Sequence, residues 1–292
     1  MSEWTGVAGK RVLITGATNG IGLAAAEELA RRGAKLAVVA RDERKGRACV
    51  ERIERAGGGR SGVDLLLADL SLQASVRQLA AETLERYARI DVLVNNAGAM
   101  FHRRQMSEDG IELTWALNHL APFLLTTLLL DRLEESAPSR VITTASDAHR
   151  GARVPFDDLA AERTYARGGF ARYGETKLAN ILFTAELARR LEHTGVSAYC
   201  FHPGLVATGF NRNNGPLMGT MMMFVKPFSR SPEHGARTLV WLADSPDPEE
   251  DSGGYFTDEH LTTPTDEALD MDAARRLWVL SEEQTQAGVG SS

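Results

Sequence analysis

Cysteine is scarce in this chain. Cys49 and Cys200 are the two among 292 residues, and they lie far apart in no ligand spacing. Neither a disulfide framework nor a metal site is expected, only two reduced, partly buried thiols. Histidine does not make up for them: His102, His119, His149 and His202 form no zinc pattern, and H-E-x-x-H is absent. Positive charge is not in excess either. Lys plus Arg is 33 against 39 for Asp plus Glu, a net charge of -6 that gives no support to nucleic acid as a partner. Long apolar runs are missing. The most apolar stretch, Leu120 to Leu130, is too short and interrupted to span a bilayer, and Met1 to Arg11 holds no apolar signal core. A cytoplasmic protein without a membrane anchor is the expectation. No linker divides the chain and no repeat recurs, so residues 1–292 are expected to form one domain, ending in a frayed tail from Ala287. At 43% hydrophobic it can bury a sizeable core unaided.

What is present is an alternation of short apolar strands and helical patterns. Strands are read at Arg11–Thr15, Lys35–Ala40, Val63–Ala68, Asp91–Val94, Arg140–Ala145 and Val196–His202, with a short one at Gly253–Phe256. Helices fall between them: one closed by Gly33, one from Glu43 to the glycines at 57–59, and one N-capped by Ser71. A long one covers roughly Gly110–Glu135, one carries Tyr173, one has Ser231 as N-cap and Pro232 at N1, and one closes the chain at Ala268–Gln284. This pattern predicts an α/β fold: a doubly wound parallel sheet covered on both faces, the Rossmann arrangement, in a single domain.

The turn after the first strand holds Gly16, Gly20 and Gly22 in G-x-x-x-G-x-G spacing and opens a helix. Glycines let a backbone turn tightly and approach a pyrophosphate, which the helix N-terminus then stabilises. The second strand ends in Ala40 and Arg41, where a carboxylate would select NAD. A guanidinium suits a 2′-phosphate, so NADP(H) is expected; Asp42 fits the N-cap of the next helix, and Arg44 and Lys45 add positive potential. Farther on, Tyr173 and Lys177 stand four residues apart, on one helix face, yet they are not an ion pair at neutral pH.

Together these residues resemble the short-chain dehydrogenase/reductase family over nearly the whole chain. "TGATNGIG" (Thr15 to Gly22, with Thr18, Asn19 and Ile21) is similar to its cofactor loop, and "ADL" to its adenine contact through Asp69 and Leu70. "NNAG" (Asn95 to Gly98, with Asn96 and Ala97) is similar to its fourth-strand motif. "LNHLAPF" puts Asn118, "TTASDAHR" puts Ser146 and "YGETK" puts Tyr173 and Lys177 at the family's catalytic positions. "HPGLVATGF" resembles the segment that clasps the nicotinamide, with Pro203, Gly204, Val206 and Thr208. The retinol-dehydrogenase-like branch is most similar, through "ARDERKG", "SDAHRG", "YGETKLANILFTAELARRL" and "RRLWVLSEE". Many animal members of that branch carry an N-terminal anchor that is not seen here.

The resemblance implies a role for each group. A nearby ammonium favours phenolate and is expected to lower the Tyr173 pKa from its usual value near 10, so that the phenol serves as general acid in reduction and base in oxidation. Lys177 would also bind the nicotinamide ribose. Ser146 would hold the substrate oxygen, favoured by register over Thr143 and Thr144. Asn118 would hold a relay water, although an Asn in an apolar helix reads by itself as a buried amide or a kink. The expected substrate is a small-molecule carbonyl or alcohol, apolar to suit a loop at 205–230 that includes Met221 to Phe224. A non-catalytic NADP-binding sensor or scaffold is the alternative, and a methyltransferase a more distant one. Wide apolar faces on the helices of Asn118 and Tyr173 suggest a homo-oligomer, a dimer or tetramer.

Overall fold

The computed structural model describes residues 3–59, 62–163, 165, 167–204 and 230–286. Among these, eight strands make one sheet: β1 (Arg11–Thr15), β2 (Lys35–Ala40), β3 (Val63–Leu67), β4 (Val92–Asn95), β5 (Ser139–Thr144), β6 (Val196–His202), β7 (Tyr255–Thr257) and β8 (His260–Leu261). Their order is β3-β2-β1-β4-β5-β6-β7-β8, parallel except for the β7–β8 hairpin. The helices are α1 (Gly20–Arg31), α2 (Glu43–Ala56), α3 (Gln73–Arg86), α4 (Leu113–Trp115), α5 (Ala121–Leu128), α6 (Leu130–Glu135), α7 (Phe170–Arg190), α8 (Pro232–Asp244) and α9 (Met271–Thr285).

The period-two pattern of β1 sorts the two layers. Val12 and Ile14 face a core shared with Leu29 of α1, Ile53 of α2 and Leu239 of α8. Leu13 faces the other core, with Leu79 of α3, Phe123 of α5 and Phe183 of α7. Burial on both faces explains the continuous apolar runs read as strands. The chain runs outward from β1 through β2 to β3, then returns to β4 on the other side of β1. That reversal opens a crevice at the carboxyl ends of β1 and β4, the usual place for a ligand in such sheets.

Three expectations change. The helix read across Gly110–Glu135 is broken: α4 gives way to a π-helical turn, Ala116–Leu120, before α5 and α6. Ala121 N–H bonds Ala116 O, five residues back, and Pro122 has no N–H to offer the Asn118 carbonyl one turn earlier. Ser71 is not the cap of α3, which begins after Leu72. The Ser71 hydroxyl is taken by Asp69 Oδ1 at 2.6 Å, and Asp109 Oδ2 accepts the Gln73 N–H at 2.8 Å. The short last strand is two, β7 and its antiparallel partner β8.

The closing helix α9 packs on the π turn, α5 and α7. Trp278 packs edge-on to Phe123 and stacks on Phe183, with centroids 5.0 and 5.9 Å away. His119 Nε2 meets Ser281 Oγ at 2.9 Å, and Trp115 Nε1 donates to Gln284 Oε1 at 2.9 Å. The chain's own terminus thus covers apolar surface on the π turn, α5 and α7. Among the described residues no helix is long and apolar enough to cross a membrane.

Candidate active site

The glycine turn is built against β4. Thr15 Oγ1 donates to Val94 O (3.1 Å) and accepts from Asn96 N–H (3.0 Å) and Ala97 N–H (3.1 Å). The Asn96 amide donates to Thr15 O and Gly16 O. Asn96 and Ala97 therefore brace the turn, and Gly98 lies beside Asn118 and Lys177. Gly16 has φ +69°, and a Cβ there would fall 2.7 Å from Ala97 Cα; a Cβ on Gly22 would fall 2.4 Å from Gly16 O. Only glycine leaves this cradle open. Asn19 precedes α1 without capping it by its side chain, and the first turn holds no acid. Its N-terminal N–H groups and dipole are thus available to an anion. These features fit a dinucleotide pyrophosphate. Thr18 and Asn19 form the rim of the turn, and Ile21 leans onto the core from the first turn of α1.

Arg41 and Asp69 meet where β2 and β3 end. Arg41 Nη1 stands 3.7 Å from Asp69 Oδ2, with the arginine side chain 74% exposed. Asp42 is the N-cap of α2, accepting the Lys45 N–H at 2.8 Å as its position predicts, so its carboxylate is engaged in capping. Ser71 holds Asp69 through its N–H and hydroxyl, and Leu70 packs against the core beside it. A guanidinium and no uncommitted carboxylate at the end of β2 fits a 2′-phosphate.

Tyr173, Lys177, Ser146 and Asn118 converge on the carboxyl ends of β4 and β5. Ser146 N-caps a short 3-10 turn, Asp147–His149, its Oγ accepting the Ala148 N–H at 3.2 Å. The Tyr173 hydroxyl bonds the Ser146 side chain. Lys177 is buried, its Nζ donating to Thr144 O at 2.8 Å and lying 5.5 Å from the Tyr173 ring centroid. Asn118 sits in the π turn: Oδ1 accepts the Ala99 N–H, and Nδ2 donates to Ala99 O and Thr176 Oγ1. A Cβ on Gly98 would contact both Asn118 Oδ1 and Lys177 Nζ, so the three line one spot. Pro203 and Gly204 follow β6, half-buried, whereas Val206, Thr208 and the loop at 205–229 lie outside the described residues.

The electrostatics differ from the expected phenol with a lowered pKa. Burial pushes Tyr173 up to about 12, opposed by the Ser146 hydrogen bond. Burial also brings Lys177 down to about 8. Desolvation disfavours both charged forms, and what favours the phenolate here is the Ser146 hydroxyl. Sequence reasoning also missed Thr15, Thr144 and Thr176, which tie the motifs together. All three stand inside the quoted motifs, but these partners are distant in the chain, and nothing local signals them.

Comparison with known proteins agrees with this geometry. The family model described as short chain dehydrogenase matches residues 10–217. Retinol dehydrogenase 12 of Mus musculus is 43% identical, across 94% of this chain and 86% of its own length. DnrU of Streptomyces sp. (strain C5), a candidate daunorubicin C-13 ketoreductase, is 42% identical across 98% and 95%. A short chain dehydrogenase of Burkholderia cenocepacia J2315, solved in complex with NADP, superposes with a TM-score of 0.67 at 26% identity, across 86% and 96%.

Proposed function

The chain belongs to the short-chain dehydrogenase/reductase family, on its retinol-dehydrogenase-like branch, and from that premise we propose an NADP(H)-dependent oxidoreductase that interconverts an apolar carbonyl compound and its alcohol. The grouping of half-buried Tyr173 and Ser146 with buried Lys177 carries this reading. The nicotinamide, when bound, supplies or accepts the hydride. The chain's residues handle the oxygen and its proton. Ser146 holds the substrate oxygen beside Tyr173, and Tyr173 donates the proton as that oxygen gains charge. A phenol held near 12 keeps its proton throughout the neutral range, the form that can donate to the substrate oxygen. Lys177, held by Thr144 O, would bind the nicotinamide ribose, and Asn118 is fixed nearby through Ala99 and Thr176. Gly16, Gly20 and Gly22 would cradle the pyrophosphate, with Arg41 at the 2′-phosphate and Asp69 at the adenine. Relatives named as retinol dehydrogenases and as a candidate ketoreductase support interconversion of a carbonyl and an alcohol.

Incubation with NADPH and a panel of apolar aldehydes and ketones should consume NADPH absorbance. Tight NADPH binding with no turnover on any panel member would favour the cofactor-binding sensor instead. Cofactor choice is tested separately. NADPH is expected to bind more tightly than NADH, and Arg41→Ala to weaken NADPH by about 1.5–3 kcal/mol while leaving NADH nearly unchanged. Equal affinities of the wild type for the two cofactors would remove the role given to Arg41.

A further inference from the structure

Asp147 and His202 come from different strand ends and meet between the two segments the reaction needs. Asp147 follows Ser146 beyond β5, and His202 closes β6 just before Pro203 and Gly204. One imidazole touches Asp147 twice. The Asp147 backbone N–H donates to Nδ1 at 3.2 Å, and Nε2 lies 3.1 Å from Asp147 Oδ2. A backbone N–H can only donate, so Nδ1 carries no proton, and the Nε2–H is the one that reaches the carboxylate. The neutral ring satisfies both contacts. An imidazolium would set an N–H against the Asp147 N–H and forfeit the first.

Both sides of this contact are held. Asp147 Oδ1 accepts from Tyr255 Oη at 3.3 Å and Arg150 Nε at 3.2 Å. His202 is buried and pairs in register with Thr257 of β7. The turn that presents Ser146 is closed from within as well, since Ser146 O takes the His149 N–H at 3.1 Å and faces His149 Nδ1 at 2.7 Å. Ala145 N–H bonds Phe201 O of β6 at 2.8 Å just before Ser146, and His202 makes the contact with β6 just after it.

We propose that His202 is a positioning residue whose neutral imidazole fixes the Ser146 turn relative to the Pro203–Gly204 segment, and whose protonation releases it. This rests on the reading of Ser146 and of the Pro203–Gly204 segment as parts of the active site. The charged and titratable groups around the ring act in both directions. Burial, Arg230 and His149 disfavour its protonation, Asp147 and Asp258 favour it, and burial leads, so its pKa lies below the ordinary 6.5. Tyr255 and Arg150 face the far oxygen of Asp147. The contact is therefore complete at neutral pH and is lost on acidification.

Three variants test this, each checked for folding by its thermal melt and for NADPH binding. His202→Leu removes the acceptor and should lower kcat by about 10- to 100-fold, with KM for the carbonyl substrate little changed. His202→Asn keeps an acceptor oxygen near the Nδ1 position and should recover most of that loss. Its kcat should also stay level at acidic pH, where that of the wild type falls. Wild-type kcat in His202→Leu, or a wild-type acid limb in His202→Asn, would overturn the inference; if the Leu variant does not fold, the pH profile of the Asn variant decides. Ser146→Ala is assayed beside them. Full turnover in Ser146→Ala would refute the site reading itself, whereas an inactive Ser146→Ala beside an unaffected His202→Leu refutes the positioning role alone.

Discussion

Tyr173→Phe is expected to bind NADPH and melt near the wild-type temperature while losing about 10²–10⁴-fold in turnover. The substitution removes one hydroxyl. Its described bond is to the Ser146 side chain, and the ring, the α7 helix and the Lys177–Thr144 contact stay in place. If the hydroxyl is the proton donor, the loss appears in kcat on the best panel substrate, with little change in NADPH affinity. The pH profile supplies a second measure. Because burial holds the phenol at about 12, it is protonated throughout the neutral range. Wild-type reduction should be nearly flat there, and oxidation, which needs the phenolate as base, should climb as pH rises. A folded, NADPH-binding Phe variant with wild-type turnover would leave Tyr173 as a packing residue and undo the catalytic assignment.

Arg172→Met is expected to destabilise the fold by about 3–5 kcal/mol, read from urea unfolding. Arg172 Nε lies 2.7 Å from Glu112 Oε2, with the two side chains 1% and 0% exposed. Both Glu112 oxygens also take N–H groups at the start of α4, those of Thr114 and Trp115. The guanidinium further contacts Glu175 and Leu159 O and lies over the Trp115 ring. Removing it would strand a carboxylate in the interior between the helix that leads to Asn118 and the helix that holds Tyr173. Combining Glu112→Gln with Arg172→Met removes that stranded charge, so the double variant should be more stable than Arg172→Met alone. An Arg172→Met protein as stable as the wild type would mean that the pair ties the two helices with no net stabilisation.

What can be read along the chain depends on near neighbours. The β1, β2 and β6 bounds, the Asp42 cap of α2 and the Ser231–Pro232 start of α8 are legible because each is set within a few residues. The glycine turn is legible for the same reason: Gly16 and Gly22 crowd the end of β4 and each other, and spacing alone announces a turn that only glycine can make. Where a distant group competes, local reading fails. Ser71 looks like a cap until Asp69 takes its hydroxyl, and no local pattern announces that Trp278 of α9 packs on Phe123 and Phe183.

The sequence by itself determined the αβ alternation, the family and which side chains are present at the site, since these follow from residue type and short spacing. The tertiary structure decided their state. A Tyr and a Lys one helical turn apart suggest an ammonium assisting a phenolate. Their pKa values, about 12 and about 8, follow instead from how much chain is packed around them. The same holds for His202, whose two contacts with Asp147 exist because β5 and β6 lie side by side in the sheet. Charge and tautomer depend on desolvation and on partners, and both are supplied by residues remote in the chain.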